Sequence, residues 1–191
     1  MADQIFGANC GFFNAVNYDR TYTAEDMNMP YSRVIADGVF PTSQGTASTD
    51  LKVVSAGNRM NITVNAGQGM FASKWFENPS SIIITVPNNN AIYPRFDSVI
   101  VQVDMRQSGR KGNIVYRTGS PALNPQPPSI NQVANVTEYR LGNIYVAPGA
   151  NTINNDAITD LRGTASCPWV TGLVTSVISS SEIDEIVNKI Q

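Results

Sequence analysis

Apolar and polar positions alternate with a period of two over much of the middle of the chain, which predicts β-strands rather than amphipathic helices. The clearest case is Asp97 to Arg106, where Val99, Val101, Val103 and Met105 share one face and Ser98, Gln102 and Asp104 the other. A polar turn, Gln107 to Gly112, leads into Asn113 to Arg117, so a hairpin is predicted. Upstream, Ile62 and Val64 alternate with polar residues, and Asn65-Ala66-Gly67-Gln68-Gly69 is expected to turn the chain. Met70 to Phe76 and Ser81 to Val86 follow as strands. Ile82-Ile83-Ile84 is apolar on both sides, as expected of a central strand. Pro121 to Pro128 holds four prolines and is expected to be an extended surface crossing. Strands resume at Thr137 to Tyr145, and Asn151 to Arg162 combines turns with a short strand. About seven to nine short antiparallel strands are expected in all, the pattern of a β-sandwich and not of alternating βαβ units.

The two ends read differently. Thr23-Ala24-Glu25-Asp26 offers a hydroxyl cap followed by acids in the first helical turn. Pro30 forbids one continuous helix but suits the first turn of a second, Tyr31 to Ala36, with Gly38 as its left-handed cap. Two short N-terminal helices on one side of a sheet are therefore expected. Pro41 to Asp50 is a polar linker. Near the C-terminus, Ser179-Ser180-Ser181 precedes Glu182, Asp184 and Glu185, a strong helix start. Ile183, Ile186, Val187 and Ile190 then open an apolar seam whose β-branched character favours three or more strands. A helix of about ten residues is unstable alone. It either joins copies of itself as the start of a coiled-coil neck or docks on the sandwich. The expected division is a docking segment over 1–40, a β-sandwich over 41–178 and a neck helix over 179–191.

Composition narrows the chemistry. With 13 basic and 15 acidic residues in 191, the net charge is −2, which argues against a nucleic-acid surface. No stretch approaches the ~20 apolar residues of a membrane helix, so membrane insertion is not expected. The start Met-Ala-Asp-Gln lacks the basic and apolar regions of a secretory signal. The chain has no histidine, which removes Ser-His-Asp and Cys-His nucleophilic systems and histidine-bearing zinc sites. Cys10 and Cys167 are too few for a zinc site and are expected to be free thiols. No cofactor or metal is expected.

Paired carboxylates are the remaining route to catalysis, through glycoside hydrolysis. The candidates are Asp97 with Asp104, or Glu138, Asp156 and Asp160. Asp97 and Asp104 differ by an odd number of residues and should face opposite ways on a strand. Arg95 and Asp97 are expected to form a structural ion pair, locally or with Asp160-Leu161-Arg162. Asn88-Asn89-Asn90 reads as a loop tip whose amides suit sugar hydroxyls or a simple turn. Trp75 and Trp169 are candidate sugar platforms, with Trp169 better placed to pack where sandwich and neck meet. The expectation is a protein that is not an enzyme.

The N-terminal run Gly11-Phe12-Phe13-Asn14-Ala15-Val16-Asn17-Tyr18-Asp19-Arg20-Thr21-Tyr22, followed by Asp37-Gly38-Val39-Phe40, is dense in aromatics where termini are usually frayed. Phe6, Phe12, Phe13, Tyr18 and Tyr22 either cover an edge of the core or form an attachment face. This run resembles the N-terminal part of tail-tip and baseplate proteins of phages of Gram-positive bacteria, a family that includes the shoulder domains of receptor-binding proteins. Gly69-Met70, Pro94-Arg95-Phe96-Asp97, Gly142 to Ala150, Ile158 to Arg162 and Trp169-Val170 extend the resemblance over most of the chain. It implies a β-sandwich that joins a fibre or receptor-binding head to the tail, commonly as a trimer. The implied partners are other tail or baseplate proteins, and the implied location is the virion, after synthesis in a bacterial cytoplasm. A glycan-binding module for host wall polysaccharide is the alternative.

Overall fold

The computed structural model describes Asn17 and residues 23–41, 48–57 and 59–171. The proposed oligomerisation seam (Ile183, Ile186, Val187, Ile190), the aromatic docking candidates (Phe6, Phe12, Phe13, Tyr18, Tyr22) and Cys10 lie outside the described residues.

The chain is mainly β, with antiparallel sheets. Among the described residues two single-turn helices precede the strands, α1 (Ala24–Asn28) and α2 (Tyr31–Val34). The strands are β1 (Gly38–Val39), β2 (Val53–Ser55), β3 (Asn61–Val64), β4 (Gly67–Phe71), β5 (Lys74–Asn78), β6 (Ile82–Thr85), β7 (Arg95–Asp104), β8 (Lys111–Arg117), β9 (Gln132–Val133), β10 (Val136–Val146) and β11 (Ile158–Asp160). They form three sheets: β1-β4-β5, β2-β3-β6, and the larger β11-β10-β7-β8 with β9 paired to β10. All three contribute to one core: Val39, Phe71 and Phe76 from the first, Val53, Ile62 and Val64 from the second, Val99, Val101, Leu141 and Ile144 from the third. Burying such side chains contributes about 1.5–3 kcal/mol each and is what closes the sheets into a sandwich-like body.

The β7–β8 hairpin stands where the pattern predicts it, with Val99 opposite Tyr116 and Val101 opposite Ile114 on the core side. Thr23 caps α1 as expected: Asp26 N donates to its hydroxyl, and the Asp26 carboxylate accepts from the Thr23 amide, a reciprocal capping box.

Four expectations are corrected. Gly67-Gln68-Gly69 is not a turn but the start of β4. The reversal comes later, at Ala72-Ser73, both with positive φ (50° and 57°), so the predicted strand Met70 to Phe76 is a tight hairpin of β4 and β5. The isoleucine run is an edge strand and not a central one: β6 pairs only with β3, so Ile82 and Ile84 follow the core side of Val64 and Ile62 while Ile83 is 68% exposed. Lastly, α2 ends at Val34, and Gly38 lies in β1 instead of capping it. Its φ is +149°, and a Cβ there would stand 2.2 Å from the Pro168 carbonyl oxygen. Glycine is required because β1 is squeezed between β4 and the chain at 168–170, where Val39 N donates to Pro168 O and Val170 N to Val39 O.

Candidate functional site

The outer side of the β10-β7-β8 sheet is lined with polar side chains, and the Pro-rich crossing lies over it. Glu138, directly opposite Gln102 in register, is fully buried there. Its carboxylate accepts from Arg117 Nη1 and Nη2 at 2.8 Å each, from Gln102 Nε2 at 2.8 Å, and from the Asn131 amide at 2.6 Å. Burial alone would raise its pKa, but the Arg117 fork and the amide donors outweigh burial and hold it at about 2. Arg117 also donates to Ser129 O and Arg140 to Pro128 O, so the two arginines tie the crossing down. The Pro121 to Pro128 segment forms no strand, as expected, and its end at Pro128 is held over this polar network.

Three of the other candidate carboxylates, Asp97, Asp104 and Asp160, are each gripped by an arginine two residues away. Arg95 Nε and Nη2 fork Asp97 at 2.9 and 3.0 Å, both residues being buried, and Tyr116 Oη and Gly119 N complete the Asp97 shell. Burial and then the bond to Asp97 push the Tyr116 phenol well above its ordinary value. Arg106 forks Asp104, whose pKa that bond lowers to about 2, and Arg162 forks Asp160. Arg95 and Asp97 therefore pair locally, and Asp160 with Arg162 is a separate pair. Asp97 and Asp104 sit on opposite faces of β7. Asp156 is exposed on a 3-10 turn at Asn155–Ala157.

The hairpin of β4 and β5 builds a different kind of site. Alternation along β5 turns Phe76 inward and Trp75 and Glu77 outward. Phe76 is seated because residue 112 is glycine: a Cβ on Gly112 would stand 2.6 Å from the Phe76 ring. The hairpin thereby packs against the β7–β8 turn, and an open cavity of about 500 Å³ forms between them. Phe76, Val103 and Met105 supply its apolar lining, Trp75 a wall, and Lys74, Glu77, Arg110, Lys111, Asp104 and Glu25 its polar groups. Trp75 is 79% exposed. Gln68 Nε2 donates to Glu77 Oε1 at 3.0 Å and holds that carboxylate across the hairpin. Lys74, Arg110, Lys111 and Glu25 take no part in the ion pairs among the described residues.

Of the two tryptophans, Trp75 is open to solvent, whereas Trp169 is packed against the core with the Arg162 guanidinium 5.2 Å from its ring centre. Asn89 is no loop-tip amide: it is buried, donating to Tyr93 O and Val146 O and accepting from the Ala91 amide. Sequence reading missed the grouping of Glu25, Lys74, Glu77, Arg110 and Lys111, which come from three separate stretches. It also missed Arg117, Gln102 and Asn131 as partners of Glu138. Only the period-two register of β7 against β10 carries a signal for that last set. Among the described residues no cluster of His, Cys, Asp or Glu is arranged to hold a metal ion, and no helix is long and apolar enough to cross a membrane. Comparison with known protein families, with curated proteins and with solved structures finds no match.

Proposed function

We propose that this chain is a non-enzymatic structural adaptor of a phage tail tip or baseplate, attaching a fibre or receptor-binding head to the tail. The observation that carries the reading is the N-terminal pair of helices. Neither α1 nor α2 contains a buried residue, and Met27 on α1, Met29 between the two and Tyr31 on α2 are exposed. Single-turn helices are not stable in water by themselves, and three large apolar side chains on such a pair suit a surface completed by a neighbouring subunit. The exposed Ile83 on the edge of β2-β3-β6 adds a second apolar feature of this kind. The arginine grip on Asp97, Asp104, Glu138 and Asp160 supports a structural role for those carboxylates, since a hydrolytic pair needs carboxyls free to move protons. In this proposal the seam Ile183, Ile186, Val187 and Ile190 makes the trimeric neck, and the neighbouring tail proteins are the partners.

Antibody-gold labelling of tailed particles tests the class. Label clustered at the tail tip is expected. Unlabelled particles, with an antibody that binds the native protein, would overturn the reading. The docking face is tested by the triple variant Met27→Ser, Met29→Ser, Tyr31→Ser. Because these side chains are exposed, its melting temperature should match the parent's, each change costing no more than about 0.5 kcal/mol. Its incorporation into particles should be lost; normal incorporation would move the docking face elsewhere.

A further inference from the structure

We infer that the cavity beside Trp75 is a saccharide-binding site. A large indole is usually mostly buried, and one this exposed at the rim of a cavity is not there to fill the core. Its mounting is rigid: β5 is held by the tight Ala72-Ser73 reversal on one side and by the seating of Phe76 over Gly112 on the other. The backbone that carries the indole is therefore fixed, and only its two side-chain torsions remain to be ordered when a ligand lies on it.

The surroundings decide which ligand fits. The cavity volume falls within the range of small-ligand sites, and its lining combines an apolar part with a few polar groups, as such sites do. A purely apolar ligand would strip water from Glu77, Lys74 and Lys111 without replacing their hydrogen bonds, which is costly. A pyranose ring answers both demands, with a C–H face for the indole and a fringe of hydroxyls. Those hydroxyls donate to Glu77, whose carboxylate Gln68 already orients, and accept from Lys74, Arg110 and Lys111. Asp104 lines the same cavity, but its oxygens are occupied by Arg106, so it shapes the wall and is not counted as a ligand group.

The test uses the full chain. A Trp169→Phe variant leaves Trp75 as the only indole, because the sequence holds two tryptophans. The protein is applied to an array of neutral, N-acetylated, uronic-acid-bearing and phosphorylated oligosaccharides, and the best binders are titrated against Trp75 fluorescence. At least one class should bind and change the indole emission, and Trp75→Ala, titrated by calorimetry because it lacks the reporter indole, should weaken binding by about ten-fold or more. Glu77→Gln should weaken the same ligand while leaving the melting temperature unchanged. Binding to no class, or undiminished binding by Trp75→Ala, would overturn the inference. So would a Trp75→Ala protein that loses particle incorporation while the parent binds no saccharide, which would make a neighbouring protein the occupant. Absence of gold label with saccharide binding intact would sink the adaptor and leave this site standing.

Discussion

Replacing Glu138 with alanine is expected to lower the folding free energy by about 3–5 kcal/mol, the range for breaking a buried ion pair from one side. The loss is large because the carboxylate accepts from three residues at once. Without it the Arg117 guanidinium keeps only its bond to Ser129 O, and the Gln102 amide and the Asn131 N–H lose their acceptor. Glu138→Gln keeps the shape and one acceptor oxygen and should cost less. The double variant Arg117→Met, Glu138→Leu should cost less than Glu138→Ala alone, because it removes the stranded charge along with its partner. Urea melts of the four proteins measure this, and equal losses for Glu138→Ala and the double variant would refute the account. The same pair sets an acid limit. Glu138 has a folded-state pKa of about 2 against an ordinary 4.5, so its contribution is present above pH 4.5. It is lost as pH falls from 4.5 toward 2. Parent stability should fall through that window, and Glu138→Gln should fall less steeply.

Gly38→Ala is expected to cost about 3 kcal/mol or more, but locally. The new methyl would meet the Pro168 carbonyl at 2.2 Å, both sides being backbone, and φ +149° is a region that side chains avoid. Beside it, Asp37 accepts from the Ser73 amide and the Tyr139 hydroxyl, so the end of the helix pair is fastened to the body here. The expected result is early proteolytic cleavage and fast hydrogen exchange in residues 23–37 and in the Pro168 to Val170 segment. The β7-β8-β10 amides should stay protected. Uniform loss of protection would mean that the junction is part of the global folding unit.

These two residues also show where sequence reading succeeds and where it stops. Local chemistry was legible: a capping box needs only Thr23 and Asp26, and the β7–β8 hairpin needs only a period of two and a polar turn. Conformation set from afar was not. Gly38 looks like a helix cap because the chain that forces its φ arrives 130 residues later. Glu138 stands out only as a candidate carboxylate and Arg117 only as the end of a strand, because nothing local says that the chain at 128–131 will lie over them. Ile82-Ile83-Ile84 reads as central because apolar character on both sides marks a covered strand, whatever does the covering. Ala72-Ser73 lacks the Asn-Gly chemistry that marks a tight reversal, so two strands were read as one. For the cavity, Trp75 stood out as an indole, but its neighbours are scattered from Glu25 to Lys111.

Arg162 bears on the order of events during synthesis. Its guanidinium donates to the carbonyls of Ser48 and Asp50, across 114 and 112 residues, and Val39 bridges to Trp169 just beyond. Contacts of such separation form late, since loop closure must precede any gain from them. A growing chain on the ribosome therefore exposes residues 23–37 well before the body that holds them can close. Chains halted before Arg162 should remain protease-sensitive in residues 23–37, and those extended past Val170 should gain protection there. Residues 23–37 thus emerge early and are fastened late, and for most of translation their apolar side chains have no body to lie beside.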